Sequence, residues 1–292
     1  MTPTKTPALR PLKGIRILSL ALNLPGPAAL MRCLQMGATC VKLEPLTGDA
    51  MLIYCKTAYT SLHAGVRIIT ADLKAEAGQK TLHKELAKAD VLLTSFRPSA
   101  LNKLGLGWPL LHKQYPQLSQ VAIVGSPGAL AEVPGHDLTY LADMGLVTGL
   151  DLPTTLYADM GGSLAASEAI LQVVMCKASR AHGAYLEVAL SNAANYLALP
   201  RTWGLTQPGA AVGGGHAGYQ VYECKNGRVA VAALEPHFAA RLCSAAGITP
   251  ATTEAMLTPN ARQAVAAWLK GKTRQQLDQL ARDKDIPLHT MA

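Results

Sequence analysis

The stretch from Pro134 to Gly162 concentrates the groups able to do chemistry. His136 and Asp137 are adjacent, directly after Pro134-Gly135, and Tyr140 follows one helical turn on. A second carboxylate, Asp159, stands between Leu156-Tyr157 and the pair Gly161-Gly162. An imidazole has an ordinary pKa of about 6.5, and a carboxylate on a separate element gives it a partner for moving protons. Each residue also has a structural reading. Asp137 suits the N-terminal end of a helix over 138–144, and Asp159 suits a cap for the helix that begins near Ser163. Asp143 reads as a solvated helix residue.

Other chemistries find less support. A Ser-His-Asp hydrolase needs a G-x-S-x-G elbow, whereas Gly125-Ser126-Pro127-Gly128 places a proline where the oxyanion amide should be. The same glycines lack both the G-x-G-x-x-G spacing and the Walker lysine, so an ordinary nucleotide or nicotinamide site is disfavoured. Gly213-Gly214-Gly215-His216 reads as linker. The six cysteines are scattered singly, with no C-x-x-C and no histidine at ligand spacing, so no metal is expected and the thiols read as buried and reduced.

The elements that must position these groups alternate. Residues 15–20 form a short β-branched run bounded by Gly14, then Pro25-Gly26-Pro27 opens a helix over 28–36, and a second strand follows Gly37. Strand signals recur over 66–71, 91–94, 120–124 and 185–189, with helices over 76–88, 100–104, 164–177 and 191–199. The pattern predicts an α/β fold: an open, Rossmann-like parallel sheet with helices on both faces and functional loops at the strand carboxyl ends. Gln207 to Gly215 reads as a flexible linker, which divides the chain into a large domain of residues 1–206 and a smaller α+β domain of residues 207–292. In the latter, Lys225-Asn226-Gly227 is a hairpin turn, and helices are expected over 237–246, 260–269 and 273–284, the last capped by Thr273.

Of the 292 residues, 49% are hydrophobic and 16% charged, which excludes a disordered chain. No apolar run is long enough to span a bilayer, and residues 1–13 lack an export pattern, so a cytoplasmic protein without membrane contact is expected. A net charge of +8 attracts anions. The basic residues are dispersed and aromatics make up only 5%, which argues against nucleic acid and for a small polyphosphorylated ligand.

Taken in order, several motifs resemble those of the family III CoA-transferases, the CaiB/BaiF family, and within it the α-methylacyl-CoA racemase branch. They are Pro11 to Leu18, Pro25-Gly26-Pro27, Gly37-Ala38, Val41-Lys42-Leu43-Glu44-Pro45 with Gly48-Asp49, Asp72-Leu73-Lys74, Ala89-Asp90-Val91, Phe96-Arg97-Pro98 and Leu104-Gly105-Leu106-Gly107. Gly135-His136-Asp137-x-x-Tyr140, Asp159-Met160-Gly161-Gly162 and Ala233-Leu234-Glu235-Pro236-x-Phe238 continue the match.

The resemblance implies an enzyme that binds coenzyme A as an acyl-CoA substrate and uses no metal, nicotinamide or flavin. It implies His136 and Asp159 as proton-exchanging groups on a branched acyl-CoA, with Glu235 supporting the histidine. Asp137 aligns with the aspartate that carries the acyl group in the transferases, which keeps CoA transfer open as an alternative; the shortened C-terminal end keeps an inactive CoA-binding homologue open as another. Arg97, Arg67 and Lys42 are the implied phosphate-binding cations, with Tyr140 beside them. Relatives form homodimers, in some cases interlocked. This sequence stops at Ala292, short of a segment the resemblance implies, so a weaker interlock is the expectation.

Overall fold

The computed structural model describes residues 9–292, apart from the side chains of residues 178–180. Most of the leader expected up to Lys13 therefore lies outside the described residues. The strands of the first unit are β1 (Arg16–Ser19), β2 (Thr39–Glu44), β3 (Arg67–Thr70), β4 (Val91–Thr94), β5 (Ser119–Val124) and β6 (Tyr185–Ala189). They form one parallel sheet in the order β3-β2-β1-β4-β5-β6, the doubly wound arrangement predicted from the alternation of elements. Ser19 stands beside Lys42 on one side and Leu93 on the other.

Period-2 alternation sends neighbouring apolar residues into two separate cores. Ile17 and Leu93 face one cluster, which includes Leu30 and Cys33 of α1 (Pro25–Gln35). Leu18 and Leu92 face the other, with Leu82 and Leu86 of α4 (Glu76–Leu86). All four residues of β4 and all six of β5 are buried, as strands covered on both faces must be. The short helices α2 (Met51–Tyr54) and α3 (Lys56–Leu62) fill the β2–β3 crossover, and α5 (Pro98–Lys103) and α6 (Trp108–Gln114) fill the β4–β5 crossover.

After β5 come a 3-10 turn (Gly128–Glu132), α7 (Asp137–Asp143), the long α8 (Tyr157–Arg180), β6 and α9 (Leu190–Thr202). α8 starts well before the expected Leu164, so Asp159 lies within its first turn and does not act as its cap. Gly161 and Gly162 are tolerated inside this helix because α9 packs directly against them. A Cβ on Gly161 would meet Ala193 and Leu197 at 3.3 Å, and one on Gly162 would strike Leu190.

The chain divides into two compact units, the first ending at Ala198 and the second running from Leu199 to Ala292. In the second, β7 (Tyr219–Cys224) and β8 (Gly227–Ala232) form the antiparallel hairpin around Lys225-Asn226, and β9 (Leu288–Met291) adds to β8. Helices α10 (Pro236–Ala246), α11 (Pro259–Lys270) and α12 (Arg274–Lys284) cover it around Leu242, Val265 and Leu277. Thr273 caps α12 by accepting from the Gln276 amide at 3.3 Å. The stretch expected to be a flexible linker is instead folded on itself. Its Gly215 amide donates to the Ala210 carbonyl at 2.7 Å around a 3-10 turn over Ala211–Gly213.

Candidate active site

In a doubly wound sheet the crevice opens where successive connections depart in opposite directions, here between β1 and β4. A cavity of about 240 Å³ lies at this point. Its walls come from the turns after β1 (Leu22, Asn23) and β4 (Ser95, Arg97), from the end of β5 (Gly125), and from the segment carrying His136, Tyr140 and Asp159. The β1 and β4 turns are tied together, the Leu22 amide donating to Ser95 Oγ at 3.1 Å. Four residues singled out in the sequence, Arg97, His136, Tyr140 and Asp159, therefore converge on one cavity.

His136 is the exposed residue just before α7, in extended conformation with φ −141°. Its backbone amide donates to Thr139 Oγ1 at 3.0 Å, which holds the entry to the helix and points the imidazole from a fixed turn. Asp137 begins α7 and is 5% exposed. Its Oδ1 accepts from the Asp159 amide at 2.9 Å, so this carboxylate serves the first turn of α8 as well as that of α7. Asp159 is half-buried, and its pKa rises from 3.8 to about 6. Desolvation is the main cause, the Asp137 carboxylate adds to it, and His136 partly opposes it. A carboxyl group held there exchanges protons near neutral pH. Asp143, at the end of α7, is exposed, as expected of a solvated residue.

Tyr140 is 8% exposed, and its phenol is pushed up by burial and by Asp159, against a lowering by Arg97. The hydroxyl lies over Gly125 and Gly135, where any Cβ would collide with it, at 2.5 Å in the case of Gly135. Gly135→Ala is therefore expected to displace the ring and to destabilise the fold by about 1–3 kcal/mol. Urea unfolding of the variant measures this, and an unchanged midpoint would show that the ring does not need the space.

Two cations assigned from the sequence, Arg67 and Lys42, are not brought to the cavity. Arg67 begins β3, at the amino end of an edge strand and so at the opposite end of the sheet from the strand carboxyl ends. Its guanidinium is paired with Glu85 at 2.7 Å, an acceptor shared with Arg16. Lys42 is fully buried and its ammonium is already engaged, by Asp49 at 2.5 Å, Glu44 at 3.0 Å and His63 Nε2 at 2.9 Å. A lysine in that setting has no donor left for an external phosphate, so its role corrects to a structural one. Glu235 belongs to the second unit, where it directly precedes α10. Cys33, Cys40, Cys224 and Cys243 are buried free thiols as expected, whereas Cys55 is exposed.

Asn23 and Asp49 are missed by motif reading as site components. The Asp49 carboxylate receives the Asn23 amide on both oxygens at 3.1 Å, and this fixes the β1 turn at the cavity wall. The signal available was a lone asparagine ahead of Pro25-Gly26-Pro27, a pattern that also fits any ordinary turn.

The model of CoA-transferase family III matches residues 12–292, and the chain belongs to that family. It is 29% identical over 255 residues to the α-methylacyl-CoA racemase of Mus musculus, covering 81% of this chain and 65% of that protein. It is 34% identical over 149 residues to a cinnamoyl-CoA:phenyllactate CoA-transferase of Clostridium sporogenes, covering 47% of this chain and 36% of the other. The chain thus spans less than two thirds of the length of these curated relatives. Among solved structures, a hypothetical protein of Mycobacterium tuberculosis superposes with a TM-score of 0.84 at 22% identity over 97% of this chain and 86% of its own, a likeness of fold. No helix among the described residues is long and apolar enough to cross a membrane.

Proposed function

We propose that the protein is an acyl-CoA enzyme that exchanges the α-proton of a 2-methyl-branched thioester and so inverts its configuration. The observation that carries this reading is the Asp159 carboxyl, held at about 6 in the cavity it shares with His136. A thioester α-proton is weakly acidic, and inversion requires one group on each face able to give and take a proton near neutral pH. Asp159 in α8 and His136 before α7 are on separate elements, as such a pair must be. Arg97, at the mouth of α5 and lining the cavity, is the cation available to phosphate or to developing charge.

CoA transfer through Asp137 is the second reading, because relatives include transferases and this carboxylate is present. It would require Asp137 to attack the thioester, yet the carboxylate is buried and its Oδ1 is held by the Asp159 amide. That engagement favours exchange over transfer. The role that the resemblance implies for Glu235 is tested by Glu235→Gln. A cytoplasmic homodimer remains part of this proposal, resting on the resemblance alone.

The deciding experiment is incubation of the protein with 2-methylbutanoyl-CoA in D2O. Deuterium at the α-carbon together with loss of optical activity is the expected result. CoA movement to a free acid, with an acyl group trapped on Asp137 by hydroxylamine, would replace this reading with transfer.

A further inference from the structure

Removing an α-proton places negative charge on the thioester oxygen, and the step needs a donor aimed at that oxygen. We propose that the side-chain amide of Asn23 is that donor, a catalytic residue that stabilises the enolate formed between His136 and Asp159. The assignment rests on the acyl-CoA reading above.

Asn23 lines the same cavity as both proton-exchanging groups. It holds φ at +64°, in the left-handed region, which costs energy for a residue with a Cβ and which asparagine tolerates better than most. Such a conformation persists where the surroundings impose it, and here they do. The backbone amide is gripped by both Asp49 oxygens at 3.1 Å. Asp49 is 1% exposed and is itself fixed by Lys42 at 2.5 Å and by the Met51 amide at 3.0 Å.

The side chain is oriented as well. Tyr54 donates its hydroxyl to Asn23 Oδ1 at 3.2 Å, so the carbonyl end of the amide is occupied. Asn23 is an exposed residue that lines the cavity, and among the described residues no hydrogen bond uses its NH2, so both donors remain open to a ligand. Tyr54 also lies within electrostatic reach of Asp159, since Asp159 follows desolvation and Asp49 among the causes that raise its phenol. Asn23 and Asp159 thus line one cavity, with Tyr54 holding the carbonyl end of the amide from outside it.

In the reaction, the α C–H bond breaks and its proton passes to His136 or Asp159. The bonding electron pair moves into the carbonyl, whose oxygen gains the negative charge and accepts from the Asn23 NH2. The group on the opposite face then returns a proton, the carbonyl reforms, and Asn23 makes no covalent bond. The buried Asp49 and Lys42 act through it as positioning residues.

The test compares Asn23→Gly and Asn23→Asp with the wild-type chain, reading deuterium exchange into 2-methylbutanoyl-CoA, affinity for free CoA and thermal unfolding. Glycine accepts the left-handed backbone, and aspartate keeps the shape while exchanging the NH2 for an oxygen. Both variants are expected to lose exchange on the order of 10²-fold, with CoA affinity changed by less than about threefold and the glycine variant still folded. Wild-type exchange in the glycine variant, or in the aspartate variant alone, would overturn the assignment while leaving the proposed function standing. Absence of exchange in the wild-type chain would sink the function itself and the assignment with it.

Discussion

On the function proposed above, replacing Asp159 with asparagine is expected to slow racemisation by about 10³-fold and, at pH 8, to make the fold more stable. The two effects have one cause. The native environment raises the Asp159 pKa from 3.8 to about 6, so the folded state binds this proton more tightly than the unfolded chain does. The stability from this linkage is therefore fully present below pH 3.8 and is lost as pH rises through about 6. Above that range the wild-type fold carries a charge it disfavours, a penalty of about 1–3 kcal/mol after allowance for partial solvation. The Asp159→Asn side chain would be neutral throughout. Urea unfolding at pH 8 should give the variant that advantage and at pH 4 almost none, and an equal gain at both pH values would show that the carboxyl is not strained. On the activity side, inversion should fall by about 10³-fold, in line with the loss of one acid-base group. His136 would remain to exchange the α-proton on its own face, so residual deuterium incorporation without inversion is expected for one enantiomer. Equal loss with both enantiomers would argue against two separate faces.

The order of strands and helices was legible because a parallel sheet buried on both faces requires short apolar runs, and those of β4 and β5 contain little else. Helices with a stripe facing the core, such as α4, α10 and α12, were legible by the same periodicity. α2 was not, since Leu52, Ile53 and Tyr54 point outward and give no helical stripe. β9 was missed for a different reason. Its four residues are a strand only because β8 is beside them, a pairing of distant segments that local pattern does not encode. In the site, His136 and Asp159 could be found from residue type and motif. What the sequence lacked was end and depth: which end of β3 holds Arg67, and how far from water Lys42 lies. Both are properties of the assembled sheet, which residue type and motif do not encode.

Lys42 is where that distinction has its largest consequence. Its ammonium lies among Glu44, Asp49 and His63, whose ligating atoms are all within 4.8 Å of one another. Burial and the nearby lysine hold His63 below the usual histidine range, which keeps a second positive charge out of the cluster. Lys42→Met preserves most of the volume and removes the one cation, leaving Glu44 and Asp49 buried without compensation. Breaking a buried pair from one side typically costs about 3–5 kcal/mol, more than the worth of the pair itself. The variant should therefore unfold at far lower urea than the wild type at pH 8. Lys42→Met/Asp49→Asn should recover part of the loss at pH 8, because it deletes one of the two orphaned carboxylates. A phosphate-binding lysine makes the opposite forecast: an intact fold, weaker CoA binding and no dependence on Asp49. Because Asp49 also grips the Asn23 amide, even a folded Lys42 variant should show slower α-proton exchange, so the electrostatics of the core and the chemistry of the cavity meet at one carboxylate.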